Sequence, residues 1–384
     1  MTEQYKVSIV MPCLNEAETL QTCIKKAQCF LNASHIAGEI IVADNGSTDG
    51  SITIAEEMGA RVVHVSQKGY GNALRGGFES ARSEYIIMGD SDDSYDFSDL
   101  QAFIDALDQG YDLVMGNRFK GGIMKGAMPF LHRYVGNPVL SWIARLFFKS
   151  EIGDFHSGLR AFQKDALLSL NLQTTGMEFA SEMVVKATMK GLRITEVPIV
   201  LYPDGRSRPP HLRTWSDGWR HLRFLLLYSP RWLFLYPGIL LIILGTLISS
   251  LLLGGPKRLA GVNFDINTLL YAAFLIILGA QSVFFSLFTY VFGVNADLLP
   301  KDKFTEKIIH KVGLEKGILI SLGMILVGFA SSFGALFYWS ENFFGDLDPT
   351  YSMRLVIPGA VLFTLGFQSL FASFFLSVLN TKLK

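Results

Sequence analysis

Tyr85-Ile86-Ile87-Met88-Gly89-Asp90-Ser91-Asp92-Asp93 is an apolar run that stops abruptly in three carboxylates. Short apolar runs bounded by turn residues are typical of buried strands in a parallel sheet. In open α/β sheets the ligand crevice lies just beyond the carboxyl ends of the strands. Carboxylates crowded there repel one another unless a cation sits between them. Asp90-Ser91-Asp92 is therefore a candidate clamp for a hard divalent ion, Mg2+ or Mn2+, that bridges to substrate phosphate oxygens. No His or Cys lies close enough in sequence to suggest zinc. Asp93 reads instead as a charge near the start of the next helix.

Working outward, the same pattern repeats. Residues 7–11, 39–43, 61–65 and 113–115 also read as short strands rich in Val, Ile and Met. Helical patterns fall between the strands, over 17–31, 51–58, 71–81 and 97–107, with Asn15 as the N-cap of the first and Glu18 three residues on. Strands separated by helices of this size predict right-handed βαβ units and a mostly parallel, Rossmann-like α/β sheet. Each strand end carries polar residues. The first reads Pro12-Cys13-Leu14-Asn15-Glu16, a turn able to present backbone groups and a carboxylate to a nucleoside. The second carries Asp44 and Asn45, suited to a base or ribose. Ser47, Thr48 and Asp49 beside them read as helix-capping residues. Gln67-Lys68-Gly69-Tyr70-Gly71 precedes a helix, where Lys68 and a close-approaching Gly69 suit phosphate, although a plain turn explains them equally well.

The 384 residues carry zero net charge, which gives no reason to expect a nucleic-acid partner, and 50% of them are hydrophobic. That excess lies in the C-terminal part. Four stretches, 232–256, 266–296, 317–340 and 355–381, contain no charged residue. A helix needs about 20 apolar residues to cross a bilayer, so these predict four transmembrane helices, at about 232–254, 268–292, 317–339 and 355–380. Lys and Arg crowd the segment before the first span and the loop between the second and third. That bias places the N-terminal domain and both termini in the cytoplasm. The N-terminus lacks the apolar core of a signal peptide. Cys13, Cys23 and Cys29 match no metal spacing and suit a reducing compartment. Residues 211–231 mix Arg220, His221 and Arg223 with Trp215, Trp219 and Phe224. They read as an amphipathic interfacial helix, or else as a surface helix packed on the globular domain.

The stretches Pro12–Glu16, Asp44–Asp49, Lys68–Asn72, Asp90–Asp92, Gly116–Arg118, Asp154–Arg160 and Glu196–Pro198 together resemble the nucleotide-sugar domain of family 2 glycosyltransferases. With the membrane tail, the chain is similar to polyprenyl-phosphate glycosyltransferases of the dolichol-phosphate mannose or glucose synthase type. The resemblance implies a GT-A domain over 1–210, a connecting helix over 211–231 and a membrane domain over 232–384. It implies that Pro12, Asn15, Glu16, Asp44, Asn45, Lys68, Gly69 and Asp90 bind a nucleotide-sugar donor, and that Asp90 and Asp92 hold Mg2+ or Mn2+. Asp154 would sit near the sugar carbon. Arg118, Arg133, Ser157, Arg160, Arg206 and Arg208 would serve the acceptor, a polyprenyl or dolichyl phosphate. A tetramer has family precedent. Two departures stand out: Asn45 replaces a usual second Asp, and Ser94 stands where a glutamine can assist the metal.

Two other classes compete. A processive polysaccharide synthase carries a Gln-x-x-Arg-Trp stretch, but before Arg231-Trp232 this chain has Tyr228 in the Gln position. A lipid flippase that senses nucleotide sugar would place ionisable groups inside its spans, and the four charge-free runs hold none.

Overall fold

In the computed structural model, which describes residues 5–207, 214–296, 298–301 and 313–381, the Tyr85 run is a strand wholly buried in a sheet. The strands are β1 (Val7–Cys13), β2 (Gly38–Asp44), β3 (Arg61–His64), β4 (Tyr85–Met88), β5 (Leu113–Asn117), β6 (Gly122–Ile123), β7 (Arg160–Gln163) and β8 (Ile194–Leu201). They join in the order β3-β2-β1-β4-β7-β5-β8-β6. All seven residues of β1 and all five of β5 are buried, so both faces of the sheet's centre are covered. This explains why these strands read as continuous apolar runs and not as alternating ones. Each fully buried Ile, Val or Met there contributes about 1.5–3 kcal/mol.

The chain runs from β1 through β2 to β3 on one side, and β4 lies on the other side of β1. The order reverses at β1 and β4, which places a crevice at their carboxyl ends. The exception to parallel pairing is β7, antiparallel to both β4 and β5, with Arg160 opposite Met88 and Met115. Because β7 runs the other way, the loop that leads into it, 153–159, arrives at the same carboxyl edge as Asp90.

The helices of this part are α1 (Leu20–Ser34), α2 (Ser51–Glu57), α3 (Tyr70–Ser80), α4 (Gln101–Asp108), α5 (Arg118–Gly121), α6 (Asn137–Phe148), α7 (Lys164–Ser169), α8 (Phe179–Met189) and α9 (Thr214–Leu227). Two expectations need correction. Helix α1 begins at Leu20, not after Asn15; Asn15 has φ 59°, and its Oδ1 accepts from the Thr48 amide at 2.7 Å, stitching two loops together. Asp93 is not a helix-terminal charge, because α4 starts only at Gln101. It has φ 62° and pairs with Lys26 at 2.8 Å.

The chain divides into two compact units, Met1–Leu225 and Leu226–Lys384. Most of α9 falls in the first. Asp217, His221, Phe224 and Leu225 are buried on one face of it, while Trp215 and Trp219 are exposed on another. The helix thus combines a packed face with an exposed aromatic one.

In the second unit four helices are long and apolar enough to cross a membrane: Arg231–Leu253, Ile266–Asn295, Leu314–Glu341 and Pro349–Asn380. The chain is an integral membrane protein. A short hairpin, Lys257–Leu259 with Val262–Phe264, joins the first two spans. Gly238 and Gly279 face one another across those spans, and Gly328 lies against Gly359 and Phe363 across the last two. Small residues let helix backbones approach closely in lipid. Gly323, by contrast, has open space around it.

Candidate active site

The carboxyl ends of β1, β2 and β4 and the 153–159 loop bring most of the anticipated residues to one edge of the sheet. Asp90 follows β4. Its Oδ1 accepts from the Tyr70 hydroxyl at 2.9 Å. Its other oxygen lies against Gly158, where any Cβ would collide with it. Burial, and then the charge of Asp92, push the Asp90 carboxyl up to about 6. Burial disfavours the charged form, and a second carboxylate nearby adds to that.

Asp92 points toward the strap 202–207. Its Oδ1 accepts from the Ser94 amide and hydroxyl at 3.1 and 2.5 Å. Its Oδ2 meets Arg206 Nη2 at 2.8 Å. Arg206 also reaches Glu16 at 3.2 Å and Asp204 at 3.0 Å. The strap is fastened by Gly205 N donating to the Asp92 carbonyl and by Ser207 donating to Glu18. Arg206 was expected at the acceptor phosphate. Here its guanidinium lies among the acidic groups of the clamp, supplying the positive charge they require. Among the described residues no cluster of three or more His, Cys, Asp or Glu closes around a point. Two carboxylates fit the way magnesium is usually held, with its remaining positions left to phosphate and water.

On the nucleoside side, Glu16 is buried and its amide is capped by Ser51 Oγ at 2.9 Å. Pro12 accepts from Ser91 Oγ at 2.7 Å, tying the end of β1 to the carboxylate turn. Asp44 accepts from the Gly46 and Ser47 amides at 3.0 Å each. The Asn45 side chain is wholly engaged: it donates to the Val65 and Gln67 carbonyls and accepts from the Gly69 amide. It clips two loops together, which leaves it little capacity to read a base. Lys68 Nζ donates to the Asn45 carbonyl at 2.6 Å. Gly69, at φ 131°, needs to be glycine for a different reason from the one expected: a Cβ there would strike the Thr175 carbonyl.

The acceptor-side arginines part company. Arg118 forms a two-pronged pair with Asp154, Nε–Oδ2 and Nη2–Oδ1 both at 2.7 Å, and its own amide adds a third bond at 3.1 Å. Both residues are buried. Glu196 accepts from the Gly153 and Asp154 amides and from Lys120, and so holds this turn from beneath. Arg160 is fully buried, and its guanidinium donates to the carbonyls of Phe155, Ser157 and Ala180. Arg160 therefore shapes the 155–157 turn from inside and is not placed to meet a phosphate. Arg133, in a π-turn over His132–Gly136, lies 5.5 Å from the Tyr134 ring and meets none of these groups in a hydrogen bond or ion pair. Arg208 lies outside the described residues.

Sequence reasoning missed Tyr95, and gave no role to Tyr70 and Glu196, which lie in the stretches that carry the resemblance. Tyr95 accepts the Gly158 amide at 2.8 Å. Tyr70 reaches Asp90 from the start of α3, while Tyr95 and Glu196 act through the folding of the 153–158 loop and β8 onto the site, which no local pattern announces. His156 and His221 were missed as well. Their rings meet edge to face at 4.7 Å, and His221 Nδ1 lies 2.8 Å from Ser181 Oγ.

Burial lowers the His221 imidazole to about 4, below its ordinary value of about 6.5. In this window an unfolded chain takes up a proton that the folded one refuses, so stability falls as pH falls from 6.5 toward 4. The slope is up to about 1.4 kcal/mol per pH unit. The full-length protein in detergent should therefore lose thermal stability between pH 7 and pH 5, and His221→Gln should flatten that loss. Equal acid sensitivity in both proteins would refute this.

Residues 8–170 match the description "Glycosyl transferase family 2", and residues 287–380 match "Glycosyltransferase family 2 C-terminal transmembrane region". The chain is 38% identical over 377 residues to the low-salt glycan biosynthesis hexosyltransferase Agl6 of Haloferax volcanii, covering 97% of this chain and 89% of that protein. It is 30% identical over 196 residues to a dolichyl-phosphate hexose transferase of the same organism, covering 50% of this chain and 81% of that one. A crystal structure of glucosyl-3-phosphoglycerate synthase from Mycobacterium tuberculosis aligns over 58% of this chain and 78% of its own, with TM-score 0.46 and 21% identity.

Proposed function

The chain belongs to glycosyltransferase family 2, and from that premise we propose that it transfers a hexose from a nucleotide sugar to a polyprenyl or dolichyl phosphate at the cytoplasmic membrane face. UDP-glucose is the favoured donor, with GDP-mannose second. The observation that carries this reading is the combination, in one chain, of an acidic pair at the sheet's switch point and four membrane-spanning helices. A soluble acceptor would have no use for the helices, whereas a lipid phosphate would. Support also comes from the dolichyl-phosphate hexose transferase of Haloferax volcanii, whose name states such an acceptor. The hexosyltransferase Agl6 shares both regions of the chain. The basic loops favour the cytoplasmic side for the catalytic unit.

Asp90 and Asp92 would hold Mg2+ or Mn2+, which when bound offsets the negative charge that grows on a departing nucleoside diphosphate. Lipid phosphate, with a second ionisation near pH 6 (about that of a phosphorylated side chain), is already anionic at neutral pH. Its oxygen can attack the anomeric carbon without a general base, and a single displacement inverts that centre. Asp154, engaged on both carboxyl oxygens by Arg118, is suited to stabilising positive charge on the sugar. Arg206 would exchange its carboxylate partners for phosphate oxygens when the donor enters.

The test is a panel of radiolabelled nucleotide sugars offered, with polyprenyl phosphate, to the purified full-length protein. One donor should yield a lipid-linked hexose that is labile to mild acid. Absence of lipid product from every donor, or a ladder of polymer lengths, would reject the proposal.

A further inference from the structure

The 154–160 stretch contains two residues with buried polar atoms that find no hydrogen bond among the described residues: both ring nitrogens of His156, and Oγ of Ser157. A buried polar group left unpaired costs about 1–3 kcal/mol. Three such atoms on adjacent residues are therefore kept at a cost to stability, and each calls for a partner that the described residues do not supply. Their location is the reacting end of the site. The His156 amide donates to Asp154 at 3.4 Å, and two residues further on Gly158 lies directly against the Asp90 carboxylate. The ring is braced: His221 meets it edge to face, and Ser181 anchors His221 in turn.

The chemistry of the missing partner follows from the neighbours. A phosphate would require a cation with capacity to spare, but Arg118 is engaged by Asp154 and Arg160 by three backbone carbonyls. Burial, reinforced by the charges around it, keeps the His156 imidazole well below its ordinary pKa and hence neutral. A neutral imidazole donates at one nitrogen and accepts at the other, and a hydroxyl does both. That pattern complements the hydroxyls of a sugar ring.

We propose that His156 and Ser157 form the subsite that reads the hydroxyls of the donor's hexose, moving Ser157 from the acceptor phosphate to the sugar. This rests on the nucleotide-sugar reading above and names the residues that choose the sugar. A site that hydrogen-bonds a substrate hydroxyl rejects an analogue lacking it or misplacing it, because its own buried groups are then left unpaired.

The experiment uses the full-length protein in detergent, with polyprenyl phosphate and the donor preferred by the wild type, compared with that donor's C4 epimer. In His156→Phe the ratio of kcat/KM between the two donors should fall about tenfold or more. Binding of the free nucleoside diphosphate should be unchanged, and the thermal midpoint should hold or rise, since an unpaired imidazole has been replaced by an apolar ring. His156→Gln should restore part of the discrimination. If His156→Phe does not fold, Ser157→Ala is read by the same ratio. Unchanged discrimination in the folded variants would overturn the inference and assign these atoms to packing or buried water alone. A wild type that transfers no sugar from any nucleotide donor would instead reject the proposed function.

Discussion

Asp92→Ala is expected to lower hexosyl transfer by about a thousandfold or more while leaving the fold intact. The expected loss corresponds to about 4 kcal/mol of transition-state stabilisation, the scale on which a bound cation acts on a leaving diphosphate. The structural cost should be small. Asp92 is partly exposed, and Arg206, its ionic partner, keeps Glu16 and Asp204. The contrast lies one residue away. Asp93 points to Lys26, away from the clamp, and such a partly exposed pair contributes about 0–1 kcal/mol. Asp93→Ala should therefore transfer sugar at close to the wild-type rate. The measurement is transfer to polyprenyl phosphate by purified protein titrated with Mg2+ or Mn2+, with and without excess chelator. Wild-type activity should vanish with chelator. Full activity of Asp92→Ala in chelator would end the metal-clamp reading, and equal losses at Asp92 and Asp93 would show that the two carboxylates had been wrongly separated.

The part of this site legible from the sequence was the part built from local pattern. Strand ends on β1, β2 and β4 announce themselves because a buried parallel strand is a continuous apolar run, and the polar residues that follow must lie at the crevice. The membrane helices were equally plain, because freedom from charge over such lengths is hard to explain in water. What stayed hidden was long-range. The four residues of β7 carry one arginine and one glutamine and show no period of their own. Their antiparallel insertion between β4 and β5 delivers Asp154 to the site. Arg160 and Arg206 were assigned to the acceptor side through the family resemblance. Arg160 is an internal brace for a backbone turn, and Arg206 lies in a carboxylate cluster 114 residues from Asp92 in sequence. An arginine's partner is decided by tertiary approach, which the sequence around it does not encode.

Arg118→Met should destabilise the first unit by about 3–5 kcal/mol and abolish transfer, because it removes one half of a buried ion pair. Both prongs of the guanidinium fork face Asp154 at 2.7 Å. Asp154 is wholly buried, and the amides of Arg118 and His156 complete its hydrogen bonds. Without the guanidinium the carboxylate would be left charged and unpaired, or would take a proton. Either outcome costs the firmly positioned negative charge that the proposed mechanism places beside the sugar carbon. Arg118→Lys should rescue poorly, since a point charge cannot match the fork. The double variant Arg118→Met/Asp154→Leu separates the two roles. With both charges gone, much of the lost stability should return, but transfer should not. Thermal midpoints and transfer rates of the wild type, Arg118→Met, Asp154→Leu and the double variant in detergent form a double-mutant cycle. If the single and double variants were equally unstable, the pair would not be the strut described here. If Arg118→Met kept its stability and lost only affinity for polyprenyl phosphate, Arg118 would belong to the acceptor after all, and Asp154 would be held by Glu196 and its neighbouring amides alone.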